Sequence, residues 1–144
     1  MKKNLSKMIL GTELLASLLA LGSVLIWAPV CNGLLTLANG NMVHMKCFYT
    51  GQVSIELALI LMITAGIAFF AKTDHNKIQW VVIIIGIMLI ANTFESTIGI
   101  GVCKKMMMAC NVTAAWLRGC GALAIASGLV DILANRNKGN TLTL

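Results

Sequence analysis

Apolar residues do not alternate along this chain. They come in four long blocks separated by short polar breaks. Each block approaches the length of about 20 residues that an α-helix needs to cross a hydrocarbon core of about 30 Å. The blocks predict helices over about 8–29, 53–71, 78–98 and 112–134. The third contains Val81-Val82-Ile83-Ile84-Ile85, a run that would suit a buried strand. It continues through Met88-Leu89-Ile90 and is too long for one. The polar break from Lys72 to Lys77 is short and makes the second and third helices an antiparallel pair. The outer loops fall at about 30–52 and 99–111. Leu34, Leu35 and Leu37 predict a short interfacial helix in the first, and the second is tight. The expected fold is all-α: a single domain over 1–144, a polytopic membrane four-helix bundle of two similar helical hairpins. Met1-Lys2-Lys3 gives the first block the basic start of a secretory signal. The block is longer than a signal core and no small-residue cleavage site follows, so its retention is expected.

Composition sharpens this picture. The chain is 58% hydrophobic and 11% charged, with a mean hydropathy of +0.88. Soluble domains carry about 25% charged residues. A soluble globular enzyme, a disordered tail and a fibrous repeat are excluded. The net charge of +6 reflects basic residues that are unevenly placed. Lys2, Lys3, Lys7, Lys72, Lys77, Arg136 and Lys138 fall on one side of the expected topology, and Lys46, Lys104 and Lys105 on the other. The excess of Lys and Arg on cytoplasmic loops places both termini in the cytoplasm of a multi-pass cell-membrane protein. The expected partner is the lipid bilayer. No basic stripe with interleaved aromatics points to nucleic acid.

The two expected hairpins echo each other. Val30-Cys31 is followed by Met45-Lys46-Cys47-Phe48-Tyr49-Thr50, and Val102-Cys103 by Met108-Ala109-Cys110-Asn111-Val112-Thr113. The shared pattern is V-C, a spacer, then M-x-C-x-x-T. Both copies fall on the outer face, as a duplicated two-helix unit would place them. Cys31, Cys47, Cys103 and Cys110 are therefore extracytoplasmic, where disulfides persist. Four thiols allow three pairings. The repeat favours Cys31–Cys47 and Cys103–Cys110, each hairpin stapled to itself. Cys120 lies within the fourth helix as a small packing residue.

Three other features carry chemistry. Met42, His44 and Met45 gather near Cys47, and Met106, Met107 and Met108 lie between Cys103 and Cys110. Thioether, thiolate and imidazole ligands suit copper(I). Glu56, Glu95 and Arg118 are expected at a similar depth near the outer face, as an intramembrane charge cluster with an Arg118–Glu95 ion pair. Glu13 and Asp131 are expected near the inner interface, as topological features only. Cys120, Ala124 and Gly128 form a small-residue ridge that permits close helix approach, either within the bundle or against a partner helix. No Walker motif, zinc spacing, Ser-His-Asp set or dinucleotide fingerprint is present.

The stretches Ala28-Pro29-Val30-Cys31, Met45-Lys46-Cys47-Phe48-Tyr49-Thr50-Gly51-Gln52 and Gly101-Val102-Cys103-Lys104-Lys105-Met106-Met107-Met108-Ala109-Cys110 resemble an uncharacterised bacterial membrane family, domain-of-unknown-function family 4418. The resemblance spans nearly the whole chain. It implies a small four-helix membrane protein, encoded near export-type ABC transporters. It also implies His after Met-Lys-Cys and after the second cluster's Cys, where this chain has Phe48 and Asn111. The layout is more weakly similar to four-helix disulfide-generating membrane oxidoreductases, which pass electrons to a quinone. That resemblance implies reactive outer cysteines, with Arg118 near a quinone, yet no C-x-x-C is present. The expected function is a non-enzymatic accessory or interaction subunit of a transporter-type membrane complex, without a cofactor. Membrane thiol–disulfide oxidoreductase and copper binding are the alternatives.

Overall fold

A computed structural model describes residues 2–70, 75–97, 99–103 and 109–141. Lys72, Lys104, Lys105, Met106, Met107 and Met108 lie outside the described residues. Helix α1 (Lys2–Gly22) runs into a π-helical turn, Ser23–Trp27. A hairpin of β1 (Leu34–Thr36) and β2 (Met42–His44) follows, then α2 (Lys46–Phe70), α3 (His75–Asn92) and α4 (Ala109–Thr141). The expected four-helix bundle is present. The helices pack in a ring: α1 against α2, α2 against α3, α3 against α4, and α4 back against α1. The cysteine loops lie at one end. The start of α1 and the end of α4 lie at the other.

Three helices, over Lys7–Trp27, Lys46–Phe70 and Ala109–Ala134, are long and apolar enough to cross a membrane. Helix α3 is also apolar but shorter. The bundle is dressed for lipid. Large apolar side chains such as Leu18, Ile63, Ile67, Phe70, Ile84 and Leu133 point outward. Ser17, Ser23, Thr50, Ser54, Asn92 and Thr113 are buried. The hydroxyls of Ser17, Ser23 and Ser54 donate to carbonyls three or four residues earlier in their own helices, which satisfies them without water.

Small and large side chains alternate across the core. Ala20, Val24, Ala58, Leu61, Val82, Ile85, Leu89, Leu117, Cys120 and Ala124 form one cluster. Helices α3 and α4 approach most closely at Gly86 and Gly121. A Cβ on either would meet the other's carbonyl oxygen at 2.9 or 2.8 Å. A Cβ on Gly128 would meet Ile83 at 2.8 Å. The ridge of Cys120, Ala124 and Gly128 is thus a seam within the bundle and not an outer face.

Local chemistry shifts several expected boundaries. Helix α2 begins at Lys46, not near 53, because a helix tolerates the polar residues that interrupt an apolar block. Helix α3 stops at Asn92, not near 98. Its end tightens through Thr93 N–H to Ile90 O and Phe94 N–H to Ala91 O, and Gly101 N–H then bonds back to Asn92 O. Gly101 has φ of 80°, a left-handed conformation that suits glycine. The interfacial helix expected at Leu34, Leu35 and Leu37 is instead part of an antiparallel hairpin, with Leu34 opposite His44 and Thr36 opposite Met42. The Asn39-Gly40 pair explains it. Gly40 takes φ of 77° and donates to Leu37 O, which turns the chain where a helix would continue. Glu13 and Asp131, expected at the interface, are buried among the helices.

Candidate functional site

The four outer cysteines meet at one end of the bundle. Cys47 and Cys110 are each the second residue of a helix, α2 and α4, and both are buried. Cys31 and Cys103 lie in the connections that precede those helices and are half-buried. Cys47 is disulfide-bonded to Cys103, with a Cα–Cα distance of 6.4 Å. Cys110 Sγ lies 3.0 Å from Cys31 Sγ. The sulfurs of Cys47, Cys103 and Cys110 all lie within 4.8 Å of one another. Together these distances place four sulfurs in one cluster.

This pairing corrects the expectation that each hairpin is stapled to itself. The ring order of the helices decides it. The chain leaving α1 passes over the first turn of α4, which brings Cys31 to Cys110. The chain leaving α3 passes over the first turn of α2, which brings Cys103 to Cys47. Between Cys31 and Cys47 the β-hairpin carries the chain away from both. The threonines of the two M-x-C-x-x-T copies follow the same crosswise rule. Thr50 Oγ1 donates to Gly101 O at 2.5 Å, two residues before Cys103. Thr113 Oγ1 donates to Ala28 O, three residues before Cys31. Asn92 Nδ2 donates to Thr50 O and Ser54 Oγ, both at 3.1 Å, and so ties the end of α3 to α2. Asn111 Nδ2 reaches Cys103 O at 3.5 Å.

An open cleft of about 340 Å³ lies over Cys103, lined by Leu35, Met45, Lys46, Glu95 and Val102. Lys46 Nζ and Glu95 Oε1 form an ion pair of 2.6 Å there. On the lipid-facing side, Leu19, Val112, Ala115, Trp116, Gly119 and Leu123 line an apolar groove of about 400 Å³. Trp116 and Trp27 meet edge to face nearby, with ring centroids 5.7 Å apart.

The expected charge cluster is not assembled as such. Glu95 lies beyond the end of α3 and pairs with Lys46. Arg118 Nε donates to Thr93 Oγ1 at 2.9 Å, and its guanidinium sits 4.2 Å from the Phe94 ring centroid. Glu56 is exposed on α2, well past that helix's first turn, because α2 begins earlier than its apolar block. The thioether and imidazole candidates among the described residues, Met42, His44 and Met45, have other surroundings. Met42 is 68% exposed. His44 stacks on Phe48 at 4.2 Å. The end of Met45 packs within 3.0 Å of where a Cβ on Gly33 would lie. Among the described residues, Cys47, Cys103 and Cys110 are the one set of three or more His, Cys or carboxylate ligands close enough to share an ion.

Sequence reading found all four cysteines and missed what orders them. Thr50 and Thr113 were visible only as the last letter of the repeat, and Lys46 only as a topology charge. Neither comparison, with curated proteins or with solved structures, gave a match. A family model does match, over residues 13–134, and the chain belongs to that family, described as Domain of unknown function (DUF4418).

Proposed function

We propose that this chain is a membrane thiol–disulfide exchange protein whose four outer cysteines act as one centre. The observation that carries the reading is the placement of Cys110 Sγ. It lies 3.0 Å from Cys31 and within 4.8 Å of both sulfurs of the Cys47–Cys103 bond. Exchange proceeds by attack of a thiolate on a disulfide sulfur. The Cys110 thiolate attacks Cys103 Sγ. The Cys47–Cys103 bond breaks, a Cys103–Cys110 bond forms, and Cys47 leaves as the thiolate and takes up the proton. No net oxidation occurs. The cleft over Cys103 admits an external thiol. A substrate thiolate attacks Cys103 there and expels Cys47. A second substrate thiol then attacks the mixed disulfide and releases Cys103. Two electrons and two protons pass to the protein and the substrate leaves as a disulfide. A low-molecular-weight disulfide of the glutathione class restores the bond by the reverse sequence. A lipid quinone is the alternative oxidant: it would take the two electrons and two protons of the Cys47 and Cys103 thiols and become the quinol as the bond re-forms, and the apolar groove between α1 and α4 is the surface proposed for it.

The test is titration of purified protein in glutathione buffers, with thiols trapped and disulfide-linked peptides mapped. The expected result is reversible exchange near the poise of an extracytoplasmic compartment, with some Cys103–Cys110 linkage. Structural disulfides have potentials below about −300 mV. A Cys47–Cys103 bond that stays closed to such potentials, with no other linkage, would overturn the reading.

A second reading keeps the disulfide as a staple in an accessory subunit of a transporter-type complex in the cell membrane, its termini cytoplasmic. The joint around the disulfide favours it. Lys46–Glu95, Thr50 to Gly101 and Asn92 to Thr50 all fasten the start of α2 to the α3–α4 connection. Copper(I) binding is a property proposed for the reduced cluster, and metal analysis of reduced protein tests it. The crosswise contacts of the two V-C and M-x-C-x-x-T copies also support reading them as a duplicated unit.

A further inference from the structure

Three polar side chains meet at the end of the bundle opposite the cysteines. Glu13 of α1 is fully buried, Gln79 of α3 is 1% exposed and Asp131 of α4 is 5% exposed. Glu13 lies six residues past Lys7, about 9 Å along the helix at 1.5 Å per residue. Gln79 and Asp131 are the polar side chains that act on its carboxyl group. The helix seam sets this meeting. Gly128 lets α4 approach so closely that its added Cβ would lie 3.4 Å from Gln79 O, and Asp131 sits one turn further along α4.

Two of these side chains, Glu13 and Gln79, face each other without completing a well-formed hydrogen bond. Neither oxygen of the Glu13 carboxyl meets the geometry of a hydrogen bond among the described residues, although the Gln79 carboxamide lies close enough to act on it. Neither polar atom of the Gln79 carboxamide meets that geometry either. Another buried polar side chain nearby does not share this state. Ser17 Oγ donates to Leu14 O. Lys7 and Lys77 are exposed at the rim. Buried polar groups in native proteins are satisfied, and a group left open calls for a ligand, an ion or a water. Ionisable groups within a membrane domain point to the same requirement. Here the open atoms are both oxygens of the Glu13 carboxyl and the oxygen and nitrogen of the Gln79 carboxamide, from two helices, and the buried Asp131 of a third helix adds a second carboxyl group beside them. Such a set suits hard cations and not soft ones.

We propose that Glu13, Gln79 and Asp131 form an intramembrane binding site for a hard metal cation of the sodium or calcium class. The carboxyl oxygens of Glu13 and Asp131 supply the charge, and the Gln79 amide oxygen completes the protein ligands. The site shares no residue with the cysteine cluster and stands apart from the exchange reading.

The test is thermal unfolding of the full chain in detergent, in choline buffer of constant ionic strength, titrated with NaCl, CaCl₂ or KCl. A ligand that binds only the folded state raises the Tm as its concentration passes Kd. The expected result is a saturable rise on the order of 5 °C with sodium or with calcium. Which ion produces it decides the charge class. Glu13→Gln and Asp131→Asn should each weaken the apparent affinity at least about tenfold, the loss of about 1.4 kcal/mol. Equilibrium dialysis of the unmodified protein with the same ions supplies a readout free of any folding defect in the variants, with about one ion bound per chain expected. Superimposable curves in all three salts, with no ion retained in dialysis, would overturn the site and leave a shared proton as the occupant. A rise that persists unchanged in Glu13→Gln and Asp131→Asn would overturn it as well.

Discussion

Thr50 and Thr113 hold matching positions in α2 and α4. Each hydroxyl crosses to a backbone carbonyl in the opposite half of the chain. Both are buried, so removing the hydroxyl strands a carbonyl away from water. Thr50→Val and Thr113→Val should each destabilise the protein by about 1–2 kcal/mol, read by unfolding in detergent. Arg118 makes a different case. Its partners are Thr93 and the Phe94 ring. Arg118→Leu should therefore cost about 1–2 kcal/mol. Combined with Thr93→Val the loss should be smaller than the sum of the two single losses, because both remove one bond. Glu95→Gln touches a pair whose side chains are 70% and 51% exposed, and its effect should stay below about 1 kcal/mol. The charges were legible in the sequence as exceptions to an apolar background. Their partners were not, because Glu95 lies past the true end of α3 and a depth estimate from an assumed helix end carries that error forward.

Helix ends and helix seams are decided by different physics. The seam of α3 and α4 was half legible. Cys120, Ala124 and Gly128 announced a ridge, yet Gly86 and Gly121 had to face each other before its address was known. Gly121→Leu would push a side chain into the α3 backbone and should destabilise by about 3 kcal/mol, with a lowered Tm as the measurement. The hairpin shows the reverse. Asn39-Gly40 is a strong turn signal, and an expectation built on Leu34, Leu35 and Leu37 alone leaves it out. All three residues of β1 and all three of β2 are exposed, so the turn and not burial organises the segment. Gly40→Val should cost about 1–2 kcal/mol locally, because a β-branched residue resists positive φ. Peptide mapping should find the cysteine linkages unchanged in that variant.

At the scale of the whole molecule the disulfide joins the two halves. Cys47 and Cys103 are 56 residues apart in sequence. A cross-link over such a loop restricts the unfolded chain by about 4 kcal/mol in the chain-entropy description. Reduction, or Cys103→Ser, should lower unfolding stability by about 2–4 kcal/mol. Cleavage of the non-reduced protein between the halves should leave the Cys47 and Cys103 peptides joined. A peptide joining Cys31 to Cys47 would contradict the ring order.

The sequence alone determined the bundle. Four apolar blocks with few charges can satisfy their backbone in lipid only as helices, and this requirement is local to each block. It also marked the outer cysteines and their echo, since both are patterns along the chain. Which sulfurs meet, and which buried oxygens meet at the other end, only the tertiary structure decided. Those contacts depend on α4 closing against α1 and on α3 pressing into α4 through glycines. Helix order around a ring is a property of packing between segments far apart in sequence, and no single segment encodes it.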